Sequence, residues 1–264
     1  MRIMSKTFLL FIVFILSIET STSHTVVDTI NTRREPLVVI RVDDIQDYAF
    51  RQGQLFLLWH SIAHDIPLSL AVIVGDFGTD KELFDAMTCT IQMGSEVTVH
   101  GWEHENLAEL SLIQQQEILL NGKKRLREVL GADAAILVPP MFSYNNDTVT
   151  AMQAIGFKVI SGLAELHEKG YIAEEVVSIP ATVELSILEN QTWHTKPVDE
   201  VMEELDTSIA VHGFAVIVTH PAEFIKDGAL DEEATATYDD LVRIIREWYS
   251  FTVLDGLKDR VSAQ

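Results

Sequence analysis

Three shortages in the sequence narrow what the protein can be. One cysteine, Cys89, in 264 residues excludes an internal disulfide framework and any zinc or iron–sulfur centre built on several thiolates. Only 19 basic side chains face 40 acidic ones, a formal charge of −21. Phosphate backbones and anionic lipid surfaces are held by Lys and Arg, so both are excluded as electrostatically driven partners. Beyond the first two dozen residues no apolar stretch approaches the roughly 20 residues that span a bilayer. There is also no Pro/Gly/Ser-rich linker, internal repeat or low-complexity tract. What is abundant is apolar: 47% of the residues are hydrophobic, enough for a full core, so a disordered acidic chain is excluded too. The surplus negative charge describes a soluble, self-repelling surface.

The amino terminus reads as a targeting segment. Arg2 and Lys6 precede the apolar run Phe8–Ile18, and Ser21 and Ser23 place small residues ahead of a cleavage point. That is the form of a secretory signal peptide over residues 1–23, with an uncleaved N-terminal anchor as the alternative. Residues 24–36 form a lead-in. Cleavage removes two basic residues and one acidic one, leaving a net charge of −22 on a chain expected outside the cytoplasm, secreted or at the cell surface. Asn146-Asp147-Thr148 and Asn190-Gln191-Thr192 are glycosylation sequons, usable only in a host that glycosylates exported proteins.

From Leu37 onward, short continuous apolar runs alternate with helical patterns. Strands are expected at Leu37–Val42, Pro67–Val74, Glu96–Val99, Ala134–Val138, Phe157–Ile160, Val176–Ile179, Phe214–Thr219 and Phe251–Leu254. Helices are expected at 55–63, 83–93, 111–130, 147–155, 197–211 and 238–249. Unbroken apolar strands between helices are the mark of a parallel sheet buried on both faces. The expectation is therefore an α/β chain folded as one distorted (β/α)7–8 barrel over residues 37–264, near the usual size of about 250 residues; an open doubly wound sheet is the other arrangement.

Polar residues gather where the strands end. The first strand runs into Asp43-Asp44, the third into His100 and His104, the fourth into Pro139-Pro140, and the penultimate into His220-Pro221. In a β/α barrel these ends converge around one mouth. Each motif has an ordinary reading as well: an Asp pair makes a turn or cap, and a His before Pro sits in many loops. On a helical turn, two imidazoles four residues apart face one side and can clamp a metal. Asp44, His100 and His104 would then give two nitrogens and one oxygen, an incomplete shell that leaves room for water and substrate. Asp43, pointing to the other side of an extended strand, is placed to act as a base, and His220 to protonate a leaving group. A metal, a carboxylate base and an imidazole acid together suit hydrolysis of an amide or ester.

These residues resemble the polysaccharide deacetylase family, also called the NodB-homology or carbohydrate esterase family 4. Arg41-Val42-Asp43-Asp44, His100-Gly101-Trp102-Glu103-His104, Pro139-Pro140-Met141-Phe142 and Thr219-His220-Pro221 occur in that family's order over roughly residues 37–255. The resemblance implies a distorted barrel holding a divalent metal, usually zinc, on Asp44, His100 and His104. It implies Asp43 as general base and His220 as general acid. The backbone N–H of Met141, after Pro140, would stabilise the oxyanion, and Trp193 is a candidate wall for the acetyl pocket. The substrate class implied is an acetylated glycan, either N- or O-acetylated. The charge of the chain favours a neutral glycan or a cationic product.

The sequence departs from the family at several points. Arg41 and Ile45 stand where the first motif has threonine and glycine, Val138 replaces the arginine that tethers the catalytic aspartate, with Arg41 as a candidate substitute, and the tryptophan-containing motif has no clear counterpart beyond Trp193. Two further readings follow: a metal- or glycan-binding protein of the same fold without turnover, and a zinc protease using His100-x-x-Glu103-His104. The protease motif has to be helical, whereas Val97–Val99 reads as a strand ending at His100 and Gly101 disfavours helix. Asp76 sits at the same end of the barrel, while His60, His64, His194 and His212 read as ordinary helix or loop positions and Cys89 as a small buried residue. Asp227 and Asp231–Glu233 read as a solvated loop. The oligomeric state is left open.

Overall fold

The apolar run at Leu37 continues as β1 (Leu37–Ile45), the central strand of a computed structural model that describes residues 35–167 and 169–262. The leader and residues 24–34 lie outside the described residues; everything described falls in one unit, Arg34–Gln264. The chain continues through α1 (Arg51–His64), β2 (Leu68–Val72), α2 (Lys81–Gln92), β3 (Glu96–Val99), α3 (Leu112–Leu130), β4 (Ile136–Leu137), α4 (Asn146–Ile155) and β5 (Val159–Ile160). After β5 the alternation breaks into short strands: β6 (Gly170–Ala173), β7 (Val176–Ser178), β8 (Val183–Glu184) and the hairpin β9 (Ser186–Glu189) and β10 (Thr192–Thr195). Then follow α5 (Val198–His212), β11 (Phe214–Thr219), the small hairpin β12 (Ile225–Lys226) and β13 (Ala229–Leu230), α6 (Glu232–Trp248), β14 (Ser250–Thr252) and α7 (Leu254–Ser262).

The main sheet runs β6-β7-β5-β4-β3-β2-β1-β11-β8. Its two ends are joined by the chain itself. β7 pairs with β5 and β8 with β11, both in parallel. Between them the amides of Ile179 and Ala181 donate to Ile160 and Gly162, and that of Thr182 donates to Val216. A bent strand over 176–184 thus curls the sheet back on itself, giving the distorted barrel expected from the alternation.

Both faces of the sheet are apolar, which is why the strands read as unbroken runs. On β1, Val38, Ile40 and Val42 pack outward against the helices. Val39 points inward, where it meets Ala71, Ile136, Val138, Val159, Val177 and Val216. Leu254, Leu257 and Val261 of α7 close the floor of this inner cluster. The expected last strand, Phe251–Leu254, is instead three residues of β14 followed by that helix.

Local chemistry sets the helix ends. Ser111 and Gln114 form a capping box at the start of α3, and Gly131 ends it in the left-handed conformation. α6 begins six residues before the expected Tyr238. The Asp231 carboxylate accepts from the amides of Glu233 and Ala234, so the acidic run read as a loop is an N-cap and a first turn, where negative charge is favourable. Cys89 is half-buried rather than buried.

Candidate active site

The mouth of the barrel is organised by an irregularity at the end of β1. Val42 pairs with Leu70 and Ile45 with Val72, so β1 holds one residue more than β2 across that step. Asp44 absorbs the difference with φ 62°. In a regular strand Asp43 and Asp44 would face opposite sides; a bulge re-aims a side chain, and here both carboxylates act electrostatically on His220.

Asp44 meets both histidines. Its Oδ1 lies 3.2 Å from His100 Nε2 and 3.2 Å from His104 Nε2. His100 ends β3, but residues 101–105 are not helical: Gly101 has φ 77° and His104 φ 65°. The two imidazoles converge through a tight loop rather than on a helical turn, which also removes the helix that the His-x-x-Glu-His protease motif requires. Gly101 is needed in that loop. A Cβ there would fall 2.7 Å from the Glu105 carboxylate and 3.0 Å from Pro140 Cγ.

The donor set fits a cation. His100 donates from Nδ1 to the Val138 carbonyl, 2.7 Å away, which fixes the tautomer and turns the Nε2 lone pair toward Asp44, the arrangement of a metal-ligating histidine with its outer partner. A lone pair facing a carboxylate oxygen at 3.2 Å calls for a positive charge between them. Ligand atoms at about 2.0–2.2 Å from a tetrahedral ion stand roughly 3.4 Å apart, close to the distances seen.

Asp43 is held from its own strand. Arg41 Nε and Nη2 donate to its two carboxylate oxygens, each at 2.8 Å, with side-chain exposures of 0% and 1%. Residues two apart share a strand face, so Arg41 rises inside the barrel beneath Asp43. Its Nη1 donates to the Ser161 carbonyl and hydroxyl and to the Gly162 carbonyl, and the Phe142 ring lies over the guanidinium at 5.4 Å. The arginine missing at Val138 is thereby replaced from β1.

His220 ends β11 beside a single 3-10 turn, Pro221–Phe224. Glu223, which the sequence reading missed, accepts from the His220 amide and from its Nδ1, both at 2.9 Å. Its other oxygen accepts from Ser186 and Thr219. The three-residue spacing to His220 was the available signal. Burial depresses the His220 imidazole, but the hydrogen bond and charge of Glu223, with Asp43 and Asp44, push it up to about 9. Trp193, carried in by the unexpected β9–β10 hairpin, stacks on the His220 ring at 4.8 Å.

Met141 and Phe142 both take left-handed φ, 53° and 54°, in a turn whose later amides, Phe142 and Ser143, donate back to Pro139 and Pro140. Tyr48 is exposed, and partial burial, with the negative charge of Asp44, Asp76 and Glu103, pushes its phenol upward. His194 lies exposed on β10 and His212 ends α5.

The polysaccharide deacetylase family model matches residues 56–160, taking in His100, His104 and the Pro139–Phe142 turn. Over that segment the chain resembles the polysaccharide deacetylases. A peptidoglycan deacetylase of Helicobacter pylori is 24% identical over 109 residues, 41% of this chain and 32% of the relative, so the match spans about a third of that protein. A Mycobacterium smegmatis structure described as a polysaccharide deacetylase superposes with TM-score 0.65 at 17% identity, covering 87% of this chain and 91% of that one. A CE4-family pseudoenzyme from Bacillus anthracis gives TM-score 0.59 at 15% identity, covering 86% and 66%. These superpositions carry the fold. No helix among the described residues is long and apolar enough to cross a membrane.

Proposed function

We propose that this chain is an exported deacetylase that removes acetyl groups from an N- or O-acetylated polysaccharide. The convergence of Asp44, His100 and His104 on one point, with Asp43 and His220 beside it, carries the reading. Asp44, His100 and His104 would hold a divalent ion, most fittingly zinc, which when bound polarises the acetyl carbonyl and acidifies water. Asp43, oriented by Arg41, takes the proton from the attacking water. The Met141 N–H faces the oxygen that gains negative charge. His220, kept protonated by Glu223, donates its proton to the departing sugar nitrogen or oxygen, so that the acetyl carbon–heteroatom bond breaks and acetate and the free amine or hydroxyl result. Trp193 walls the acetyl methyl.

Two variants separate the roles. Asp43→Asn keeps its metal, read by elemental analysis, but loses acetate release by about 10²-fold or more; wild-type activity in that variant would remove Asp43 as base. His100→Ala loses the metal, and unchanged metal content would break the ligand set. The pseudoenzyme likeness and Val138 favour a second reading, a metal-holding glycan binder without turnover. Arg41 on Asp43 argues against it, and metal bound without acetate release would establish it.

A further inference from the structure

Outside the mouth, one more group of side chains is arranged for a metal. His60 and His64 stand one turn apart on α1, and Asp239 reaches them from α6. Asp239 Oδ1 lies 3.0 Å from His60 Nε2 and 3.7 Å from His64 Nε2, and one ligand atom from each of the three falls within 4.8 Å of the others. The imidazole rings are stacked at 4.2 Å, so both present nitrogen to the same carboxylate. His60 is packed down: its side chain is 8% exposed, against Phe56 and Tyr238 at 5.7 and 5.0 Å. His64 and Asp239 are open to solvent. Arg246, the nearby cation, donates instead to the Asp65 carbonyl.

We propose that His60, His64 and Asp239 form a second divalent transition-metal site on the outer wall of the barrel, clamping α1 to α6. Two imidazoles at i and i+4 with one carboxylate suit zinc, copper or nickel rather than calcium or magnesium. The open side at His64 leaves positions for water, and the buried His60 gives the ion one pre-set ligand. The clamp would bear on the ring cluster of Phe56, Phe224 and Tyr238, and Phe224 belongs to the turn that carries Glu223 and follows His220. The ion would hold two helices rather than take part in the hydrolysis.

The test is zinc stoichiometry by equilibrium dialysis and elemental analysis on the full chain. Wild type is expected to bind two ions. His64→Ala and Asp239→Asn, both at exposed positions, are expected to bind one and to release acetate at the wild-type rate. His100→Ala is expected to bind one, and copper(II) added to that variant is expected to give a resonance split by two imidazole nitrogens. Retention of two ions by the His64→Ala/Asp239→Asn double variant would overturn the proposal. So would a single ion in wild type that His100→Ala abolishes, which would leave the triad as hydrogen bonds only. Loss of acetate release with two ions still bound would sink the hydrolytic reading and leave this site standing.

Discussion

At the scale of residues, the proposed base and acid each have a partner close in sequence: Arg41 two residues before Asp43, Glu223 three residues after His220. Removing one partner of a buried ion pair leaves the other uncompensated, at about 3–5 kcal/mol. Arg41→Met is therefore expected to lower stability by that amount in denaturant unfolding and to abolish acetate release. Adding Val138→Arg, which enters the same barrel interior, is expected to recover part of both. The His220 pair makes a pH prediction. Its imidazolium persists through neutrality and is lost as pH rises through about 9, so the acid-dependent limb of kcat falls there. A raised imidazole contributes stability fully below its ordinary 6.5 and loses it between 6.5 and about 9. Glu223→Gln is expected to move the alkaline limb of the rate profile toward neutrality by at least about one pH unit; an unmoved limb would mean that Glu223 does not set His220.

At the scale of elements, the site is made by departures from regularity, and these were the least legible in the sequence. Asp43-Asp44 at a strand end was plain, but the register shift and left-handed backbone at Asp44 were not. The spacing of His100 and His104 was legible as a pair that could meet at one point, but the loop with two left-handed residues that joins them was not. Glycine at 101 is the one residue whose need can be tested apart from chemistry. Gly101→Ala must displace Glu105 or Pro140, and is expected to weaken zinc binding at least tenfold, measured by competition with a chelating dye. Gly94→Ala has φ 102° but open space around its added methyl, so it should cost about 1 kcal/mol of stability and leave zinc affinity unchanged. The hairpin carrying Trp193 and the floor helix α7 went unread because each is short and its apolar residues merge with those of neighbouring runs.

At the scale of the whole molecule, the alternation of apolar runs and helices was enough to read a barrel. What it could not show is how the ring closes, because β7 and β8, joined by the short segment 179–182, pair with opposite ends of the sheet, and no local pattern marks the change. Within the net charge of −21, Asp76 and Glu103 follow β2 and β3 on the side of the barrel that carries Asp44, His100 and His104. That rim should draw a partly deacetylated, cationic glycan. Its kcat/KM is expected to fall as salt is raised from about 0.01 to 0.15 M, where screening shortens to about 8 Å, while that of a fully acetylated neutral glycan stays level. Equal salt dependence for both would place the acidic surface away from the substrate path.

The central claim is that metal held by Asp44, His100 and His104 drives acetate release. It is tested most directly by titrating zinc into metal-free protein while measuring acetate freed from an acetylated oligosaccharide. Release is predicted to rise with occupancy of that site and to stop when it is full; zinc bound there with no acetate above the uncatalysed background would contradict the account.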